Sequence, residues 1–381
     1  MPVVINGKSH GFASVDDHVQ EPPDLWTSRL SASRWGERRP HVGAAPDGSR
    51  TWLVDGRPIP GATELAHGDA DPHDRLRAMD EQGVDVSVLY PGVAGPAGET
   101  FGRIADPELE LACVRAYNDW LIDEWAAASP RLVPLCIVPL HPMDAAIAEL
   151  ERAVDRGARG LVYPALPMFL RDLPELSAAE HGPLWDACAA LDVPVSFHSG
   201  VAEEILAPTP GESPAGYRAA LDSVNRPISS ALVVAHLLLS QVLAPHPRLR
   251  VVFPENSVAW MDFALETMDY LVRVDRLNVD TYSTMPSEVF ARQCYVVGSY
   301  EQLDKCSVQR VPIENVVWSS AYPGPGSTWP DTPGTVGRAL GTIPADVRTA
   351  VLWDNAARLY RLDGVLQGRE AVKEEPRGAV H

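Results

Sequence analysis

The stretch ENVVWSSAYPGPGSTWP, residues 314–330, decides how this sequence is interpreted. Its first part is apolar and β-branched through Trp318, which is typical of a buried strand. Its second part is a loop dense in Ser, Gly and Pro. Such a loop follows the C-terminal end of a strand, where α/β proteins commonly place reactive side chains. Yet the four residues that begin it, 319–322, include no carboxylate, imidazole or thiol.

This strand is the last of eight short apolar runs that alternate with helical patterns. In the helical patterns, apolar residues recur every three or four positions. Eight such units predict a closed parallel (β/α)8 TIM barrel. A doubly wound sheet is the alternative, but the first predicted turn, VDDHVQEPPDLW, lacks the glycines typical of that fold. The predicted strands are 12–16, 84–91, 132–139, 158–164, 193–200, 249–255, 293–299 and 314–320.

Two segments depart from the plain repeat. About 55 residues separate the first strand from its helix, which is too long for an ordinary loop. Within them Asp55-Gly56 predicts a tight hairpin, and we interpret residues 20–72 as a lobe inserted over the barrel mouth. The polar segment 365–381 predicts a flexible tail after a single barrel domain, 1–364.

Composition excludes several classes of protein. The net charge of −19 argues against nucleic acid or an anionic membrane as a partner. No run reaches the roughly 20 apolar residues of a membrane span, and the N-terminus lacks a signal-peptide pattern. Five widely spaced cysteines without a CxxC pair argue against disulfides or a thiolate zinc site. We therefore expect a cytoplasmic protein acting on a small molecule. Because apolar barrel helices often pair subunits, a homodimer is a further expectation.

Polar residues at three predicted strand ends are candidates for chemistry. Asp16 and His18 share one face of the first strand because side chains alternate, and a carboxylate with an imidazole can bind a divalent metal. His198 ends the fifth strand, and Glu255 ends the sixth, where it could act in proton transfer. Each residue also has a purely structural explanation. Asp16 could cap the loop, His18 and His198 could be hydrogen-bonded histidines without a catalytic role, and Glu255 could stabilise the start of a helix. Their common position at strand ends favours a site.

Other histidines carry weaker signals. His141 follows the third strand and could line the edge of the pocket as a substrate contact. His236 lies on an apolar helical face and is predicted to be core. The remaining histidines lie in polar or loop-like contexts, and we assign them no role.

The motifs together resemble a known family. SVDDHVQEPPDLW, VPVSFHSG, HPRLRVVFPENSVAWM, WSSAYPGPGSTWPDT and VLWDNAARLYRL occur in the order seen in amidohydrolase-related proteins close to aminocarboxymuconate-semialdehyde decarboxylase. The resemblance spans nearly the whole chain. It implies a (β/α)8 barrel with one divalent metal, zinc or manganese, at its mouth.

Carried over residue by residue, the resemblance assigns metal ligands to Asp16, His18 and His198, with Glu255 moving a proton. It also identifies a departure. Relatives carry an Asp after strand eight as a metal ligand and proton-transfer group, whereas this sequence has Ala321, followed by Tyr322 as a candidate substrate contact. A methyl group can neither bind a cation nor accept a proton.

Three hypotheses follow from this departure. In the first, the three ligands still hold a metal for hydrolysis or non-oxidative decarboxylation of a small carbonyl or carboxylate compound. In the second, the pocket is a metal-free acid/base site for isomerisation, dehydration, cyclisation or metal-free decarboxylation. In the third, the protein is a non-catalytic binding relative. The sequence favours an enzyme, because polar residues collect where a site is expected.

Overall fold

The computed structural model describes residues 3–5, 8–45, 48, 50–59, 71–198, 200, 215–254, 257–274, 284–303, 310–324, 326–362 and 365. Its centre is a parallel eight-stranded sheet in which each strand pairs with the next strand along the chain. All eight predicted strands are present, and the predicted barrel is confirmed. The strands are β1 Phe12–His18, β2 Val84–Tyr90, β3 Leu132–Cys136, β4 Gly160–Val162, β5 Val195–Ser196, β6 Val251–Phe253, β7 Cys294–Gly298 and β8 Val316–Trp318.

Helices surround these strands and confirm the predicted alternation. Several helices begin with residue types that favour a helix N-terminus. Asp71 and Asp106 accept hydrogen bonds from the first turns that follow them, and a proline occupies the next position in each case. The helices are α1 Leu25–Arg29, α2 Ala32–Trp35, α3 Pro72–Gln82, α4 Glu99–Gly102, α5 Pro107–Trp120, α6 Met143–Asp155, α7 Gly182–Ala190, α8 Ala215–Leu239, α9 Ala259–Arg273, α10 Pro286–Gln293, α11 Thr332–Leu340, α12 Ala345–Thr349 and α13 Asn355–Tyr360.

The seam between β1 and β8 closes the barrel through backbone and hydroxyl groups. The His18 N–H donates to the Tyr322 carbonyl at 2.8 Å. The Ser319 hydroxyl donates to the Asp16 carbonyl at 2.9 Å, and the Ser320 N–H donates to Ser14 Oγ at 2.8 Å. The end of β1 and the loop after β8 are therefore fixed relative to each other.

The segment after β1 contains the predicted hairpin. Strands Arg50–Val54 and Arg57–Pro58 pair antiparallel around Asp55 and Gly56, and a third strand, His41–Ala44, completes the small sheet. Both turn residues have positive φ, 51° and 74°, as a two-residue hairpin turn requires. Residues 60–70 and 366–381 lie outside the described residues, so the lobe over the mouth and the flexible tail stay predictions.

Buried side chains fill the barrel and the layer beneath the helices. Cys113, Cys136, Cys188 and Cys294 are buried free thiols, as expected, and burial raises the pKa of each. Cys306 lies outside the described residues. None of the helices in the described part of the chain combines the length and hydropathy that a bilayer span requires.

Candidate active site

Three predicted residues meet at the barrel mouth. Asp16 and His18 lie at the end of β1, and His198 follows β5. The Asp16 Oδ1 atom lies 3.6 Å from His18 Nε2 and 3.9 Å from His198 Nε2. Each residue offers one ligand atom, and the three atoms all lie within 4.8 Å of one another. The three side chains that were expected to meet at the strand ends therefore do lie together.

The imidazole of His18 is oriented by a backbone carbonyl. Its Nδ1 lies 2.9 Å from the Pro91 oxygen, in the loop after β2. A carbonyl can only accept, so Nδ1 carries a proton, and Nε2 is the ring nitrogen that faces Asp16. This arrangement, in which the outer ring nitrogen is held by a carbonyl, is common for histidines that bind metals.

Two of the three residues are shielded from water. Asp16 is 1% exposed and His198 is 3% exposed, while His18 is partly exposed on the mouth side. The His18 and His198 rings meet edge to face with centroids 5.4 Å apart. Beneath them the Tyr90 hydroxyl bonds to Ser196 Oγ at 2.8 Å. Burial holds the pKa of Tyr90 well above its ordinary value, so this hydroxyl keeps its proton at neutral pH and above.

Asp17, between Asp16 and His18 on β1, has a different role. Its Oδ1 accepts the hydroxyls of Ser14 at 2.7 Å and Ser320 at 2.6 Å and the Tyr322 N–H at 3.1 Å. Its Oδ2 accepts the Ser87 hydroxyl at 2.6 Å. This buried carboxylate therefore ties β1 to β2 and to the loop after β8.

Ala321 occupies the predicted position after β8. It lines the same pocket as Asp16, and its N–H donates to Ser319 Oγ at 2.8 Å. Its φ of 55° lies in the left-handed region, which alanine rarely adopts. The seam hydrogen bonds hold this backbone in place, although the side chain is only a methyl group.

The pocket beside Asp16 and Ala321 contains residues that the sequence analysis missed. Ser299, Tyr300 and Glu301 follow β7, and Ser223 projects from α8. The Glu301 carboxylate accepts the Ser299 N–H at 2.7 Å. The strand-end rule applied to β7, whose sequence continues CYVVGSYE, would have found them. Ser223 carries no such signal, because it lies inside a helix.

Two further buried carboxylates stand near the mouth. Glu21 accepts the N–H groups of Gly92 and Val93 at 3.0 and 2.9 Å, and burial raises its pKa to about 7. Glu99 accepts the Ala97 N–H at 2.7 Å and packs against Gly200, where a Cβ would lie 3.1 Å from Glu99 Oε1. Both carboxylates therefore shape the loop after β2, which also carries Pro91.

The remaining candidates lie elsewhere. The Tyr322 ring packs under the Arg75 guanidinium, 4.8 Å away, and lines a separate pocket with Asp17. His141 is exposed after β3. Glu255 lies outside the described residues. His181, assigned to a polar context from sequence, is instead buried and stacks on Trp185 with ring centroids 5.7 Å apart.

Comparison with known proteins identifies related sequences. A family model described as Amidohydrolase matches residues 52–362. Gamma-resorcylate decarboxylase from Rhizobium radiobacter is 31% identical in a 145-residue alignment that covers 35% of this chain and 41% of that protein. The alignment thus spans less than half the length of this curated relative.

Solved structures share the barrel. An amidohydrolase from Mycobacterium avium subsp. paratuberculosis has a TM-score of 0.73 at 19% identity, covering 94% of this chain and all of that one. A dihydroxybenzoic acid decarboxylase from Polaromonas sp., solved with manganese and the inhibitor 2-nitroresorcinol, has a TM-score of 0.60 at 18% identity, with coverages of 93% and 98%. These likenesses establish the fold. Because the family model covers most of the sequence, the chain belongs to the amidohydrolase family.

Proposed function

We propose that the protein is a metal-assisted lyase that decarboxylates a small carboxylic acid without an oxidant. The observation that carries this proposal is the convergence of Asp16, His18 and His198 at the mouth, with ligand atoms within 4.8 Å of one another. The related proteins named above as decarboxylases support the choice of reaction.

The donor set fits a divalent cation. The Asp16–His distances of 3.6 and 3.9 Å exceed hydrogen-bond length. They fall within about 4 Å, which is twice a typical Zn–N or Zn–O bond length. One carboxylate and two imidazoles suit zinc or manganese. Three protein ligands leave a position for substrate, as in catalytic zinc sites.

A cation bound there would supply a Lewis acid towards a carboxylate or carbonyl oxygen. Residues of the chain itself would orient the ligands, exclude water and hydrogen-bond the substrate. The Pro91 carbonyl keeps the His18 Nε2 atom directed towards Asp16, and burial of Asp16 and His198 keeps water out. The hydroxyl groups of Ser223, Ser299 and Tyr300 offer hydrogen bonds to polar groups of a bound acid.

Decarboxylation also needs a proton at the carbon that loses CO2. Glu255 is our predicted donor, and Glu301 is a second carboxyl group that lines the pocket. Hydrolysis of a small carbonyl compound is the alternative use of the same ligands, with water as the attacking group.

A metal-free enzyme is a distinct alternative, and Ala321 is the observation that favours it. The loop after β8 lines the pocket beside Asp16 with Ser319, Ala321 and Gly326, and none of these three residues carries a carboxylate or an imidazole. In that case Asp16, His18 and His198 would transfer protons directly, in an isomerisation, dehydration or cyclisation.

Metal analysis with a substrate screen tests these alternatives. The protein is purified without chelator or a nickel column, its metals are measured by mass spectrometry, and CO2 release is followed for hydroxylated aromatic acids. We expect stoichiometric zinc or manganese, and activity that chelation removes and added metal restores. Turnover by protein free of metal would support the metal-free enzyme. Bound metal without turnover of acids, esters or amides would contradict decarboxylation and favour a binding protein.

A further inference from the structure

A second cavity, of about 260 Å³, lies between the hairpin that follows β1 and the short helix α4. We call it the hairpin cavity. One wall comes from the hairpin, within residues 54–59, and the other comes from α4 and the two residues after it, within 100–104. The pocket beside Asp16 is smaller, at about 60 Å³, and among the described residues the two have no lining residue in common. Pockets for drug-sized molecules usually measure ~300–1,000 Å³, so the hairpin cavity suits a smaller molecule.

The hairpin cavity combines two guanidinium groups with apolar walls. Arg57 of the hairpin and Arg103 after α4 both line it, together with Thr100, whose hydroxyl can donate or accept a hydrogen bond. Val54 and Ile104, which are 5% and 0% exposed, form apolar parts of the two walls. A guanidinium keeps its charge at every physiological pH and binds a carboxylate through a fork of N–H donors. The apolar walls would cover the hydrocarbon part of the same molecule.

The acid that lines the hairpin cavity already has a cationic partner. Asp55 Oδ1 accepts a hydrogen bond from Arg38 Nε at 2.7 Å, and the Arg38 Nη1 donates to Asp106 Oδ2 at 3.0 Å. Arg38 therefore offsets the charge of Asp55. It also ties the hairpin to the N-terminus of α5, directly after the second wall, so the two walls are fixed relative to each other.

The charge of the lining is unusual for this chain. The net charge of −19 repels anions from most of the surface, so an anion needs a local group of positive side chains in order to bind. Arg57 and Arg103 supply such a group from opposite walls of one cavity.

We propose that the hairpin cavity is a second binding site, separate from the candidate active site, for a small carboxylic acid with an apolar body. The proposal does not depend on the reaction catalysed at the barrel mouth. It rests on the two guanidinium groups, the apolar walls and the fixed geometry of the cavity.

The position of the cavity links it to the candidate active site. Thr100 lines the cavity, and the residue before it on α4 is the buried Glu99. A Cβ at Gly200 would lie 3.1 Å from Glu99 Oε1, and Gly200 is two residues after His198. An acid bound in the hairpin cavity would therefore contact the same short helix that packs against the loop of His198.

Calorimetric titration of the whole protein with benzoate tests the proposal. We expect one benzoate per chain at the hairpin cavity. Arg57→Ala and Arg103→Ala, one on each wall, should each raise its dissociation constant at least about 10-fold, because each removes a charged hydrogen-bond donor. Arg50→Ala is the matched control, since Arg50 is an exposed arginine of the same small sheet that does not line the cavity. Benzamide, which has nearly the same shape but no charge, should bind at least about 10-fold more weakly than benzoate.

Circular dichroism establishes that each variant is folded, and placing the two variants on separate walls guards against the failure of one. His198→Ala should leave this binding unchanged, which distinguishes the hairpin cavity from the candidate active site. Wild-type protein that binds no benzoate up to about 10 mM overturns the proposal. Binding that His198→Ala removes, or that the folded Arg57→Ala and Arg103→Ala proteins retain at wild-type affinity, overturns it equally. Inorganic phosphate that displaces benzoate at equal concentration overturns the choice of an organic acid, because the apolar walls would then contribute nothing.

Discussion

The ends of β1 and β8 face the same pocket but differ in what they contribute. The end of β1 supplies Asp16 and His18, whose side chains meet His198. The loop after β8 supplies Ala321, whose backbone is fixed in a left-handed conformation beside Asp16. The position of the second loop depends on hydrogen bonds to Asp17 and Ser14, which do not require a metal.

The groups that hold the loop after β8 in place are therefore separate from the side chains that would bind a metal. A ligand can be lost from the loop after β8 without loss of the loop's position, because buried hydroxyl and backbone groups hold it. The end of β1 differs, since its candidate ligand Asp16 is itself a buried carboxyl group. Substitutions at the two strand ends test this separation.

Removing the scaffold carboxylate should have the largest effect. Asp17→Ala leaves three buried hydroxyls and the Tyr322 N–H without their acceptor, and we expect a loss of about 3–5 kcal/mol in the free energy of unfolding. Denaturant titration measures it. Asp24→Ala is the control, because the Asp24 side chain is exposed and caps no helix; its effect should stay within about 0.5 kcal/mol. Equal effects of the two substitutions would refute the role of Asp17 in the seam.

The Glu21 carboxyl group beside the β1 end should make stability depend on pH. Burial raises its pKa from 4.5 to about 7, so between these values the folded protein binds more protons than the unfolded chain. Stability contributed by Glu21 is therefore fully present below pH 4.5 and falls as pH rises to 7, by up to about 3 kcal/mol.

Glu21→Gln removes this titration. The measurement is the difference in unfolding free energy between wild type and variant, followed from acidic to neutral pH. Glu110, whose pKa burial also raises to about 7, is present in both proteins and cancels. A difference that stays constant across the window would contradict the raised pKa of Glu21.

Removing a ligand should disable the chemistry and leave the fold intact. His198→Ala is expected to lower metal affinity and turnover by about 100-fold, because one of three converging donors is lost. Metal content by mass spectrometry and turnover are measured together. His73→Ala, on the exposed face of α3, is the control. Full turnover by the His198 variant would remove this residue from the site.

Restoring a ligand after β8 should have the smallest effect. Ala321→Asp places a carboxylate on a backbone that already lines the pocket with Asp16, and aspartate tolerates the left-handed conformation better than alanine. We expect metal affinity to rise about 10-fold, measured by competition with a chelator. Unchanged affinity would show that the side chain at 321 does not point towards the triad.

Much of the fold could be predicted from the sequence. The eight apolar runs became the eight strands because segments buried on both faces must be apolar throughout, whatever packs against them. Asp55-Gly56 formed its hairpin because these two residues readily accept positive φ. The triad Asp16, His18 and His198 was found because parallel strands end at one edge of the barrel.

Contacts across the barrel could not be predicted in the same way. Asp16 and Asp17 are adjacent residues of the same type, so the sequence does not distinguish them. Asp17 points to hydrogen-bond donors on β2 and the loop after β8, whereas Asp16 points to the two histidines. Glu21 and Glu99 are buried by loops distant in sequence, and the partners that bury them have no local pattern.

The order of strands and helices, and the set of residues that could lie at the mouth, follow from the sequence alone, because burial and strand alternation act locally along the chain. It takes the folded chain to bring Ala321 into the pocket of Asp16 and to turn the Tyr322 ring to Arg75 instead. Those features depend on distances between segments far apart in the chain, and hydrophobic periodicity does not encode such distances.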